Sequence, residues 1–140
     1  MLKTSAGYSG TPLAKKLGIK DGFYILVYNA PKHYWDLFTD LPNNLDVQKG
    51  LGEDKLDFIH IFCTTLEELV KVAAPCKEAL KVNGALWVSW PKGTSKIQTD
   101  LKREPVREHL LSIGLVDTKV AAIDSDWSGL KFVYRLKDRN

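Results

Sequence analysis

Cysteine is scarce in this chain, with two residues in 140, Cys63 and Cys76. They lack the C-x-x-C spacing of thiolate metal sites, and no secreted, disulfide-bonded context is indicated. We therefore expect both to be reduced, small core residues. The three histidines, at positions 33, 60 and 109, have no paired spacing and form no cluster with carboxylates, which argues against a metal site.

Long apolar runs are missing as well. No segment approaches the roughly 20 apolar residues that span a bilayer. The first seven residues lack the apolar core of a signal peptide. These absences predict a cytoplasmic protein that makes no contact with a membrane.

The chain also has no block of charge of one sign. Its 20 Lys and Arg residues nearly balance 17 Asp and Glu residues, for a net charge of +3. The most basic segment spans residues 92–108, but three acids interrupt it, so it predicts a solvated helix face and no nucleic-acid partner. Its basic residues are Lys92, Lys96, Lys102, Arg103 and Arg107.

Strand and helix signals alternate along the chain, without an internal repeat or a linker. Apolar segments predict strands at 23–28, 45–48, 57–62, 85–90, 116–123 and 130–136. Helices are predicted at 13–17, 33–38 and 101–113, and another begins at the capping-box sequence 63–68, with Gly84 beyond its end. The length and pattern predict a single α/β domain over residues 1–140, with a three-layer, Rossmann-like, mostly parallel sheet that ends in an antiparallel β-hairpin.

This order of elements, with its closing hairpin, resembles the class I S-adenosylmethionine-dependent methyltransferases. In those enzymes the first strand ends in an acid followed by a glycine-rich turn, since glycine lets the backbone approach the cofactor closely. The matching residues here, 27–31, contain neither an acid nor a glycine. Gln48 and Lys49 stand where an acid would hold the ribose hydroxyls, and Glu53 or Asp54 could substitute only with a shifted loop. One β-α unit is also missing, which fits the short chain. Because Asn29, Ala30 and Pro31 occupy the turn that would approach the cofactor, we predict no bound cofactor.

Three segments, at residues 7–19, 84–92 and 126–130, are similar to a small bacterial family known as domain of unknown function 3052. The similarity spans nearly the whole chain. That family has no established activity, so the resemblance implies a fold and a bacterial, cytosolic origin but no reaction.

No catalytic constellation is found, so no catalytic residue is predicted. Cys63 follows a predicted strand at a helix N-terminus, where the helix dipole could stabilise a thiolate. The nearby base candidate His60 points to the opposite face of the strand and is better explained as a core histidine. Ser89 lacks the G-x-S-x-G context of a nucleophile elbow. The pattern favours a protein that is not an enzyme.

In open α/β sheets ligands bind along the carboxyl edge of the strands. The loops expected there are 29–33, 63–65 and 90–95, together with the hairpin tip at 124–129 and a covering arm at 8–11. Each loop also has an ordinary structural explanation, and the large aromatic of the tip could instead fold back onto the sheet. The candidate ligand-binding residues are Tyr8, Asn29, Thr64, Lys92, Thr94 and Trp127.

These residues offer a cation, polar contacts and an apolar wall, which suit a small anionic or planar metabolite. The sequence therefore favours a non-catalytic or regulatory small-ligand-binding domain on a degenerate methyltransferase-like fold. Two alternatives remain open. One is an active, transferase-like enzyme with an altered cofactor site, and the other is a protein-interaction module.

Overall fold

A computed structural model describes residues 11–139, so Tyr8 and most of the expected covering arm lie outside the described residues. One sheet of six strands runs through the molecule in the order β2-β1-β3-β4-β6-β5. The first four strands are parallel, and β6 lies antiparallel to both β4 and β5. The strands are β1 (Tyr24–Tyr28), β2 (Asp46–Gln48), β3 (Leu56–Phe62), β4 (Leu80–Pro91), β5 (Leu115–Ala122) and β6 (Trp127–Tyr134).

Helices cover both faces of this sheet unequally. On one face, α2 (Leu66–Ala79) and α3 (Arg103–Ser112) pack over a large apolar core. On the other face, a second core is covered by the short helix α1 (Leu13–Leu17) and a 3-10 turn (Tyr34–Leu37). The expected three-layer, mostly parallel sheet with a final antiparallel hairpin is thus confirmed.

Local sequence explains where the central elements begin and end. β3 is almost wholly buried on both faces, as a strand in the middle of a parallel sheet must be. Thr65 caps α2, because its Oγ1 accepts a hydrogen bond of 3.1 Å from the backbone N–H of Glu68. Beyond α3, Gly114 adopts a φ of 104°, which favours glycine and stops the helix.

Several expected boundaries were wrong. A 3-10 turn (Tyr34–Leu37) stands in place of the helix expected at residues 33–38, and α3 begins at Arg103, two residues later than expected. α2 passes directly into β4 at Leu80, so Gly84 lies inside a strand rather than after a helix. β6 already begins at Trp127, three residues before the expected start.

Gly84 is explained by the close approach of two strands. A Cβ atom at this position would stand 2.9 Å from the backbone oxygen of Asp57 and 3.1 Å from that of Leu56. The β3–β4 register shifts between Leu56 and Phe58, beside this contact. Glycine is therefore needed here so that the strands can pair across the shift.

No helix among residues 11–139 is long and apolar enough to cross a membrane.

Candidate functional site

The carboxyl ends of β1, β3 and β4 share one edge of the sheet, and the tip of the final hairpin joins them. β6 runs antiparallel to β4, with Trp127 paired to Pro91, so the start of β6 lies at this edge. The structure therefore places Asn29, Thr64, Lys92 and Trp127 at the same edge, as the fold predicts. Whether these residues bind a ligand remains a prediction.

The turn after β1 is tied to the neighbouring strand. Asn29 has a φ of 58°, a left-handed conformation that asparagine tolerates better than most residues. Its Nδ2 donates a hydrogen bond of 3.2 Å to the backbone oxygen of Phe62 at the end of β3. The strand order reverses between β1 and β3, so this bond bridges the crevice where open α/β sheets bind ligands.

Thr64 leads from β3 into α2. Its backbone oxygen accepts hydrogen bonds from Thr99 Oγ1 at 2.7 Å and from the N–H of Asp100 at 3.2 Å. Among residues 11–139 its own hydroxyl makes no hydrogen bond. Thr64 thus holds the loop between β4 and α3 against the edge of the sheet.

That loop surrounds a cavity of about 600 Å³. Lys92 lines the cavity, whereas Thr94 is exposed and does not line it. Trp90, Pro91 and Leu101 supply buried apolar wall. The cationic lining residues are Lys92, Lys96, Lys102 and Arg103.

The basic segment as a whole was predicted to form a solvated helix face, but of its five cations only Arg103 and Arg107 lie within α3. Lys92 and Lys96 precede α3 and lie in the loop itself, while Lys102 and Arg103 stand at the start of the helix. Farther along α3, Arg107 does not line the cavity and instead forms an ion pair with Asp117 at 3.0 Å.

The hairpin tip braces the same loop. The backbone oxygen of Asp126 accepts a hydrogen bond of 2.8 Å from the N–H of Lys92, and its Oδ1 accepts one of 2.9 Å from Ser95 Oγ. Trp127 is 8% exposed, and its ring packs edge-on against Phe62 with 5.0 Å between centroids. Trp127 folds onto the sheet and belongs to the core, so it offers little surface to the cavity.

His33 and Asp124 form a pair that sequence reasoning missed. His33 Nε2 lies 2.8 Å from Asp124 Oδ2, and the His33 side chain is about half exposed. The other carboxylate oxygen accepts hydrogen bonds from the N–H groups of Asp126 and Trp127. The pair is 91 residues apart in sequence, and no spacing pattern could have revealed it.

A row of buried, hydrogen-bonded polar side chains lies beneath this edge of the sheet. His60 accepts or donates at both ring nitrogens, with Tyr34 Oη 2.9 Å from Nδ1 and Ser89 Oγ 2.8 Å from Nε2. Burial lowers the pKa of His60 to about 3 and raises that of Tyr34 well above its usual range. These side chains are fully enclosed, so the arrangement satisfies polar groups inside the core and does not present a nucleophile to a ligand.

Neither cysteine is suited to thiolate chemistry. Cys63 is fully buried, and burial, followed by Glu68 and Cys76, raises the pKa of its thiol to about 12. Burial raises the pKa of Cys76 to about 11. Residues 11–139 contain no cluster of His, Cys, Asp or Glu that could hold a metal ion.

Comparison with known proteins relates the chain to one fold. No family model matches it, and no curated protein does either. Among solved structures, the fibrillarin pre-rRNA processing protein of Methanococcus jannaschii matches with a TM-score of 0.60 at 14% identity, covering 82% of this chain and 67% of that one. A SAM-dependent methyltransferase from Aquifex aeolicus matches with a TM-score of 0.58 at 15% identity, covering 86% of each chain. The fold is that of the SAM-dependent methyltransferases.

A third similar structure is the magnesium protoporphyrin IX methyltransferase of Synechocystis with bound SAH, at a TM-score of 0.57 and 10% identity, covering 88% of this chain and 78% of that one. All three identities are low, so the likeness extends to the fold and no further.

The methyltransferase-like fold implies S-adenosylmethionine, but the described residues do not fit it. The crevice between β1 and β3 is bridged by the Asn29 side chain. Pro31 lacks a backbone N–H, and Tyr34, which follows, is 1% exposed and packs against Phe62. At the end of β2, Gln48 donates its amide to Asp46, and no acid stands where ribose hydroxyls would be held.

We expect that titration of the protein with S-adenosylmethionine or its demethylated product gives no binding heat by isothermal titration calorimetry. The physical reason is the turn after β1, which has neither glycine nor a carboxylate and whose Asn29 side chain bonds to the end of β3. A SAM-dependent methyltransferase titrated in parallel is the positive control. A micromolar dissociation constant for either compound would contradict this prediction.

Proposed function

We propose that this chain is a non-catalytic domain that binds a small anionic ligand in the cavity between β4 and α3. The observation that carries the proposal is the set of four cations around an apolar floor at the carboxyl edge of the sheet. A volume of about 600 Å³ suits a metabolite-sized ligand, and apolar walls with a few convergent charges are typical of such sites.

The charges of the cavity are not neutralised from within. Among residues 11–139, Lys92, Lys96, Lys102 and Arg103 form no ion pair with a carboxylate. The one acid in the lining, Asp100, already accepts a hydrogen bond of 2.9 Å at Oδ1 from the N–H of Leu66 at the start of α2. An anion would supply the missing negative charge.

The first turn of α3 strengthens the case. Lys102 is its N-cap residue and makes no side-chain capping bond, so it leaves the N–H groups of Arg103 and Glu104 uncapped; Pro105, the third helical residue, has no N–H. Such N–H groups and the helix dipole favour anions. Both Lys102 and Arg103, at this helix end, line the cavity.

The non-catalytic part of the proposal rests on the surrounding chemistry. The crevice that serves the cofactor in methyltransferase-like folds is bridged by Asn29, and the Cys63 thiol is held protonated by burial. Within residues 11–139, the cavity lining itself contains no histidine and no cysteine.

The test is amide chemical-shift mapping by NMR with citrate and with inorganic phosphate as separate probes. We expect the perturbed amides to cluster in residues 92–103. The double variant Lys96→Gln with Arg103→Gln should weaken binding about tenfold or more, because each charged hydrogen bond contributes roughly 1.5 to 3 kcal/mol.

A matched control, Lys71→Gln with Arg139→Gln, removes the same charge from exposed residues outside the cavity and should leave the affinity within about twofold. Perturbations confined to the amino edge of the sheet, or equal weakening in both double variants, would reject the cavity as the binding site.

A further inference from the structure

Four lysines gather on the face of the sheet that α1 covers, and we call Lys16, Lys20, Lys119 and Lys131 the lysine cluster. Lys119 and Lys131 stand directly opposite each other in the β5–β6 ladder. Like charges placed in this way destabilise an antiparallel pair. The fold therefore carries an electrostatic cost at this point of the final hairpin.

The cluster converges on the end of one short helix. Lys119 Nζ donates a hydrogen bond of 2.8 Å to the backbone oxygen of Lys16, in the last turn of α1. Lys131 Nζ lies 3.8 Å from the position that a Cβ atom on Gly18, the C-cap of α1, would take. The carbonyl of Lys16 at the helix end accepts a hydrogen bond from the ammonium group of Lys119 but not from that of Lys131.

The lysines also influence one another. The pKa of Lys131 is lowered by burial first, and then by the charges of Lys119 and Lys20. Lys16 is 8% exposed, and its pKa is lowered by burial, then by Lys119 and Lys92. The positive charges are thus close enough to repel one another, and two of the side chains are partly withdrawn from water.

Three of the four lysines have no acidic partner in the part of the chain described. Among residues 11–139, Lys20, Lys119 and Lys131 form no ion pair with a carboxylate. The ten residues before this part contain no Asp or Glu either, so they cannot provide one. Backbone oxygens accept hydrogen bonds from two of the ammonium groups, from Lys119 Nζ at 2.8 Å and from Lys16 Nζ at 3.4 Å.

We propose that the lysine cluster is a binding site for a small ligand that carries two or more phosphate groups. Lysine binds phosphate as a compact point charge, and several ammonium groups around one spot match several phosphate groups on one molecule. The cluster is compact, whereas nucleic-acid surfaces carry basic stripes that follow a backbone. Lys20, Lys119 and Lys131 do not line the β4–α3 cavity, so the proposal does not depend on the proposed function.

The test uses sodium tripolyphosphate as the probe, titrated into the protein at 150 mM salt, about physiological ionic strength, and followed by calorimetry and amide chemical shifts. We expect perturbed amides around Lys119 and Lys131. The double variant Lys119→Gln with Lys131→Gln should bind about tenfold more weakly or worse. Lys119→Arg with Lys131→Arg should keep most of the affinity, since it keeps the charges.

Two controls separate this site from the cavity. Lys71→Gln with Lys137→Gln removes two charges from exposed residues elsewhere and should bind as the unaltered protein does. Lys96→Gln with Arg103→Gln should keep the perturbations around Lys119 and Lys131. If the Lys119→Gln, Lys131→Gln variant does not fold, the chemical-shift map of the unaltered protein with tripolyphosphate tests the proposal alone, because it shows whether the amides around Lys119 and Lys131 respond.

Perturbations confined to residues 92–103, or unchanged affinity in the Lys119→Gln, Lys131→Gln variant, would overturn this proposal. Neither result would contradict the proposed binding site in the β4–α3 cavity. Binding of a single-stranded oligonucleotide or an acidic peptide at the cluster, with no response to tripolyphosphate, would overturn it as well.

Discussion

Replacing Trp127 with alanine is expected to lower the free energy of unfolding by about 3 to 5 kcal/mol, the usual range for removing a buried aromatic side chain. Trp127 is 8% exposed and packs against Phe62, in the apolar core beneath α1. The substitution removes the largest side chain at the start of β6 and leaves a cavity that neighbouring strands cannot fill. Urea denaturation followed by circular dichroism measures the change.

Trp35→Ala is the matched control for this prediction. Trp35 is 37% exposed and belongs to the 3-10 turn, so its loss should cost clearly less than that of Trp127. A Trp127→Ala protein with unchanged stability but no response to anions would show that Trp127 is a ligand-contacting wall, as the sequence first suggested, and not a core residue.

Acid is expected to destabilise the protein through His60, by about 2 kcal/mol between pH 7 and pH 5. The pKa of His60 is about 3 in the folded protein against an ordinary value of 6.5. The unfolded chain therefore binds more protons than the folded chain between these values. Stability contributed by neutral His60 is complete above pH 6.5 and is lost progressively as the pH falls below it.

The measurement is the free energy of unfolding as a function of pH, compared between the unaltered protein and His60→Gln. The variant should be less stable at pH 7, because Tyr34 and Ser89 lose their shared partner, but its stability should fall less steeply between pH 7 and pH 5. Parallel curves for the unaltered protein and His60→Gln would show that His60 is not the responsible group.

The order of elements and the sheet could be predicted from the sequence because local signals report it directly. Thr65 and Glu68 form a capping pattern that predicts the start of α2, and Gly114 predicts the end of α3. The position of Gly84 could not be understood in this way, because its reason is the oxygen of Asp57 on a neighbouring strand. Likewise, Trp127 looked like a polar-turn residue until pairing with Pro91 placed it in a strand.

The candidate site was predictable only in outline. The fold indicates which edge of the sheet to inspect, and Lys92 follows from that reasoning. Lys102 and Arg103 line the cavity only because the loop after β4 bends back toward them, and local composition does not encode that bend. The lysine cluster was missed for the same reason, since the pairing of Lys119 with Lys131 follows from hairpin register and their approach to Gly18 from tertiary packing.

Because Asp126 braces the cavity loop, the loop cannot reach its final arrangement until the ribosome has synthesised the final hairpin. Besides its contacts with Thr64, the loop after β4 is braced by the backbone and side chain of Asp126, which the ribosome adds more than twenty residues later. A nascent chain that has completed the loop but not the hairpin therefore has every cationic lining residue without the brace that arranges them. Anion binding would thus report that the last hairpin has docked, and a ligand present during translation would stabilise finished molecules in preference to truncated ones.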